Sequence, residues 1–154
     1  MLALQLSLNE QARTGFTHKF TIDYNDLVAA GAAATLAIQL APYAAGTALL
    51  AAAYRLETAF DGGATSALAL DVGHNGASTD DPDSALDNYE IHVDATEVLF
   101  GDGNGAIFAT LRTGYCPLDA GYFEALFTAT GGNLNALTTG KIHIFLKIVD
   151  LTKV

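Results

Sequence analysis

The chain has 154 residues, of which 51% are hydrophobic and only 16% charged, with a net charge of −10 and a pI near 4.4. This length fits one domain with a sizeable core, the apolar content excludes a disordered chain, and the acidity argues against nucleic-acid binding, which demands a positive footprint. So apolar and charge-poor a chain is expected to hide part of its surface in an assembly.

At the N-terminus Leu2, Leu4, Leu6 and Leu8 alternate with Ala3, Gln5, Ser7 and Asn9. Four leucines on one side of an extended segment predict a β-strand with one apolar face. That strand is either the first core strand of the fold or, within residues 1–14, an arm that adds to a neighbouring chain by strand addition. These four leucines are therefore the candidate contact residues. The opening MLALQLSLNEQAR lacks the basic start and long apolar run of a signal peptide, so the chain is expected to stay in the cytoplasm where it is made. Phe16, His18, Phe20 and Ile22 then alternate with polar residues as a second strand.

The stretch Leu36 to Tyr54, LAIQLAPYAAGTALLAAAY, carries no charge. A membrane helix needs roughly 20 consecutive strongly apolar residues and flanking cations. Here Gln39, Pro42, Gly46 and Thr47 interrupt the run, and no cation cluster flanks it. Pro42 to Gly46 is turn chemistry, and the period on either side is near two. Leu36, Ile38 and Leu40 share one side; after the turn Ala48, Leu50, Ala52, Tyr54 and Leu56 share another. The prediction is strand, turn and one long strand reaching Phe60.

Further strands are predicted at Leu68 to Val72, at Ile91–Val93 and Val98–Phe100 on either side of Asp94–Ala95, at Ile107 to Leu111, at Tyr122 to Thr128 and at Lys141 to Val149. In the last, Ile142, Ile144, Leu146 and Ile148 oppose Lys141, His143, Phe145 and Lys147. Gly132 to Gly140 has room for one helical turn closed by Gly140. Many short strands between Gly and Asx turns indicate an all-β antiparallel β-sandwich or barrel, one domain over residues 1–154.

No constellation points to catalysis. His18, His92 and His143 sit in strand-like alternation, His74 lies in a loop, and none stands at metal-ligand spacing. No serine occupies a G-x-S-x-G elbow. Cys116 precedes Pro117 without a neighbouring base, and as a single thiol it permits no internal disulfide. Gly101 to Gly105 precedes a strand and fits no phosphate loop. No Lys or Arg lies between Arg55 and Arg112, while Glu57, Asp61, Asp71, Asp80, Asp81, Asp83, Asp87, Glu90, Asp94, Glu97 and Asp102 do. The segment Asp80 to Asp87 has the hard oxygen ligands calcium prefers but fails the EF-hand pattern, and a solvated acidic loop is the plainer reading. No metal and no cofactor is expected.

Three stretches, KFTIDYNDL (Lys19 to Leu27), YRLETAFDGGATSALALDVG (Tyr54 to Gly73) and FTATGGNLNALTTGKIHIFLKIVDL (Phe127 to Leu151), resemble a group of small virion proteins of tailed bacteriophages that act as capsid decoration or cement proteins. The resemblance covers most of the chain from about Lys19 onward and rests on patterns of strand and turn. It implies a β-sandwich of jelly-roll type bound to the outer surface of the capsid, commonly as a homotrimer at three-fold positions. The partner would be the major capsid protein, with no nucleic acid, no membrane and no enzymatic activity. The rival is a carbohydrate- or receptor-binding β-sandwich of a phage tail or fibre. The chain has no Trp for sugar stacking, leaving Tyr43, Tyr89, Tyr115 and Tyr122.

Overall fold

A computed structural model describes residues 1–29, 31–63, 65–74, 93–95 and 120–153, the short 93–95 piece as backbone only. Eight strands fall within these residues: β1 (Leu2–Gln5), β2 (His18–Asp23), β3 (Thr35–Tyr43), β4 (Thr47–Asp61), β5 (Ala67–His74), β6 (Val93–Ala95), β7 (Gly121–Thr130) and β8 (Thr139–Asp150). They form two four-stranded sheets, in the orders β1-β2-β8-β4 and β3-β7-β5-β6, and every pairing is antiparallel. The all-β sandwich predicted from alternation is the observed architecture.

The alternation of β8 sets the interior. Ile142, Ile144 and Leu146 are buried against Phe20 and Ile22 of β2 and against Tyr54 and Leu56 of β4. Leu68, Leu70 and Val72 of β5 and Phe123, Ala125 and Phe127 of β7 face them from the second sheet. Burying a side chain of this size contributes about 1.5–3 kcal/mol. The two inner faces form one continuous apolar cluster, closed at one end by Leu27 and Leu134.

The uncharged stretch is β3, a turn and β4, as predicted, but its details differ. Strand β3 runs through Pro42 and Tyr43, and the turn is Ala44 to Gly46, closed by the Thr47 amide donating to the Ala44 carbonyl at 3.1 Å. Proline is tolerated there because β3 is an edge strand of its sheet, so its missing N–H leaves no ladder bond unmade. In β4 the register slips between Leu49 and Ala51. This bulge turns Leu49 inward and Leu50 outward, reversing the phase expected from strict alternation. No helix among the described residues is long and apolar enough to cross a membrane.

Two helices went unpredicted. Helix α1 (Leu8–Thr14) starts at a capping box in which the Ser7 hydroxyl accepts from the Glu10 amide and the Glu10 carboxylate accepts from the Ser7 amide. Helix α2 (Tyr24–Val28) uses Asp23 and Asp26 in the same way. The one helical turn expected in residues 132–140 is a 3₁₀ turn at Leu134–Ala136, but Gly140 does not close it; Leu137 does, and Gly140 lies inside β8. The expected break at Asp94–Ala95 is also corrected, since both residues belong to β6. The predicted strands at Ile91, Val98–Phe100 and Ile107–Leu111 lie outside the described residues.

Candidate functional site

The outer face of the first sheet brings His143 together with Lys19, Arg55, Lys141 and Lys147. Antiparallel register sets the residues in rows across four strands. One row is Leu2, Thr21, His143 and Arg55; the next is Leu4, Lys19, Phe145 and Ala53. Lys147, opposite Ala51, and Lys141, opposite Asp23, extend the same face along β8.

The four N-terminal leucines do not share one side. Leu2 and Leu4 lie in β1 and are 68% and 52% exposed, on the solvent side of the sheet. Leu6 follows the strand, its amide donating to the Thr17 carbonyl at 2.9 Å, and is buried to 6% exposure. Leu8 begins α1 and is 83% exposed. The expected unbroken strand therefore fails at Ser7, whose capping box diverts the chain into a helix. What remains is an edge strand with two outward leucines, anchored at its start by the Met1 ammonium on the Asp26 carboxylate.

Beside this strand a polar cluster joins three strands. Glu57 stands where the register of β4 slips between Leu56 and Thr58, and this bulge aims its carboxylate across β8. It accepts from Lys141 Nζ at 2.9 Å and pairs with His143 Nε2. His143 Nδ1 meets the Thr21 hydroxyl at 2.9 Å. The carboxylate fixes the tautomer: Nε2–H donates to Glu57 and Nδ1 accepts from Thr21. Burial holds His143 below the ordinary histidine pKa, outweighing the opposing pull of Glu57; Lys19 and Arg55 also favour the neutral ring. The hydrogen bond from Lys141, then that from His143, holds Glu57 below its usual value. A hydroxyl, an imidazole and a carboxylate are the parts of a nucleophile relay. Here Thr21 and His143 sit on the interior strands β2 and β8, and Glu57 on the edge strand β4 that pairs with β8. The cluster ties β2, β8 and β4 together.

The remaining candidates are dispersed. His18 of β2 meets the Thr17 hydroxyl at 2.8 Å, and burial lowers its pKa. His74, expected in a loop, is the last residue of β5 and fully buried, with Nδ1 at 3.4 Å from the Tyr43 hydroxyl. Tyr43 is buried against Phe123 with ring centroids 4.6 Å apart, so it is not an exposed sugar platform, whereas Tyr122 is exposed. Tyr89, Tyr115, His92, Cys116 and the acidic segment Asp80 to Asp87 lie outside the described residues. Among the described residues no three His, Cys, Asp or Glu side chains are grouped closely enough to hold a metal ion.

Two signals in the sequence foretell this geometry: Ser7-x-x-Glu10, which ends the leucine alternation, and the alternation Lys141, His143, Phe145, Lys147, which lines the outer face. The bulge that delivers Glu57 has no local sequence signature.

No protein-family model and no curated protein sequence matches the chain. A solved structure described as the capsid asymmetric unit of cyanophage Pam1 is similar in fold, with a TM-score of 0.52 at 13% identity over 83% of this chain and 79% of that one. At that identity the likeness is one of fold.

Proposed function

We propose that the chain is a structural, non-enzymatic component of a bacteriophage virion that binds the outer surface of the capsid as a decoration protein, self-associating as a homotrimer. The observation that carries this reading is the fold shared with a cyanophage capsid component along most of both chains. Strand order supports the jelly-roll form of the sandwich, a form frequent in viral capsid domains. In chain order the pairs β2·β8, β3·β7 and β5·β6 are nested one inside the next, as in a long hairpin rolled into two sheets. The same nesting supports reading residues 1–154 as one domain.

In this role the chain works by burying surface. Leu2 and Leu4, held outward on an edge strand, supply apolar area and unpaired backbone groups for contact with the major capsid protein. A standard interface buries about 1,600 Å² in total, and a trimer multiplies its shell contacts through avidity.

Pelleting with purified shells that lack the protein tests the proposal. Wild type sediments with the shells, and a Leu2→Asp/Leu4→Asp variant stays in the supernatant while remaining folded. Wild type that stays in solution at every shell concentration refutes it.

A further inference from the structure

The outer face of the first sheet carries Lys19 of β2, Arg55 of β4 and Lys141 and Lys147 of β8, four of the chain's 7 Lys and Arg residues. In a chain of net charge −10 so dense a positive face is the exception. The acids on the same face are committed within the chain. Glu57 accepts from Lys141 and pairs with His143, and Asp23 caps α2 by accepting from the Asn25 amide at 2.9 Å. Among the described residues, Lys19, Arg55 and Lys147 make no ion pair with a carboxylate. Arg55 is exposed, and Lys19 and Lys147 are partly exposed.

The register fixes the spacing of these three cations. Lys19 lies opposite Phe145, Lys147 stands two residues further along β8, and Arg55 is opposite His143 on the other side of Phe145. Strands lie about 5 Å apart and same-face neighbours about 7 Å apart along a strand, so the three backbone positions are about 8–14 Å from one another. Cations held that far apart on a sheet suit carboxylates spread over a folded surface. The ring among them is already engaged: the Lys19 ammonium lies 5.9 Å from the centre of Phe145, and Phe16 packs on it at 5.8 Å. It offers neither a sugar nor a base a free stacking platform. A long polyanion would also meet the repulsion of the chain's net negative charge beyond this face.

The rows of the sheet join this face to the apolar edge. Leu2, Thr21, His143 and Arg55 form one row, and Leu4, Lys19, Phe145 and Ala53 the next. A stable interface takes about 800 Å² from each partner, far more than two leucines on a four-residue strand expose. We infer that the capsid contact begun by Leu2 and Leu4 extends across this face, and that the shell surface it meets is acidic, presenting carboxylates to Lys19, Arg55 and Lys147. The leucines contribute apolar burial, while the cations set register and speed encounter. This inference rests on the capsid-binding role proposed above and names the chemistry of the partner surface.

The test is pelleting of the full chain with purified shells that lack it, at about 0.05 M and about 0.5 M salt, where the Debye length falls to a few ångströms. Wild type binds at low salt and weakens on the order of tenfold or more at high salt. Lys19→Glu/Lys147→Glu is weakened as much already at low salt, whereas Lys19→Arg/Lys147→Arg keeps the charge and binds within about threefold of wild type. Circular dichroism confirms the fold. Should the reversed lysines prevent folding, Lys19→Gln/Lys147→Gln and the salt dependence of wild type give the answer. Wild type that never sediments with shells overturns the capsid role and this inference together. Binding that is abolished by Leu2→Asp/Leu4→Asp yet indifferent to salt and to the lysine variants overturns the inference alone. Binding that disappears when the shells are treated with nuclease assigns the face to nucleic acid and overturns the acidic protein partner.

Discussion

The side chain of Phe60 lies directly over Gly140, so close that a methyl group at Gly140 would stand 2.0 Å from the ring. Gly140 also holds φ of +136°, a conformation that L side chains rarely adopt. Two independent constraints therefore demand glycine, and they explain why β8 can pass beneath the end of β4. Gly140→Ala is expected to cost about 2–4 kcal/mol in urea-induced unfolding. Phe60→Leu in the same chain should relieve only part of that loss, since the backbone strain remains.

The leucines of the N-terminus should separate by position. Leu2→Asp and Leu4→Asp alter exposed side chains and should leave stability within about 0.5 kcal/mol of wild type. Leu6→Asp buries a carboxylate in place of an apolar group and should destabilise by several kcal/mol, on the order of 3 or more. Thermal melts of the three variants check this. The same logic places a clean truncation after Gln5, because a deletion reaching residue 9 also removes the buried Leu6.

Acid should weaken the fold through His143 and Glu57. His143 has a folded pKa below its unfolded value, so its stabilising contribution is complete above the ordinary histidine pKa near 6.5 and is lost as pH falls through that value toward the folded pKa. Glu57 is likewise depressed, and its contribution disappears at lower pH, as the solution falls through the ordinary carboxylate range. Unfolding free energy measured between about pH 7 and pH 5 should therefore decline in wild type. His143→Gln should lower stability at neutral pH and flatten that decline; an unchanged slope would show that His143 does not carry it.

Helix α1 has no buried residue, so its order depends on its capping box and its chain neighbours. Ser7→Ala should remove about 0.5–2 kcal/mol of helix stability. Because α1 contributes nothing to the core, hydrogen exchange of its amides should accelerate while the melting temperature barely moves.

Much of the sandwich is legible in the residues, because a strand packed on one face writes its burial into every second position. Ile142, Ile144 and Leu146 against Lys141, His143 and Phe145 is the clearest case. The N-terminal leucines show where that logic ends. Alternation says which residues share a side but not whether that side meets the core, and on the edge strand β1 it meets solvent. The capping pairs Ser7–Glu10 and Asp23–Asp26 were visible signals that apolar periodicity overshadowed. His74 reads as loop material amid Gly and Asn, and only the pairing of β5 with β7 carries it into the interior. Bulges at Leu50 and Glu57 depend on the partner strand, so the contact between Glu57 and His143 has no trace in either local sequence.

The central claim is a role on the outside of a capsid, and cryo-electron microscopy of shells with and without added protein measures it most directly. Added wild-type protein should appear as ordered density on the outer surface at symmetry-related positions, with β1 turned toward the shell. An unchanged shell map at saturating, folded protein would contradict the claim.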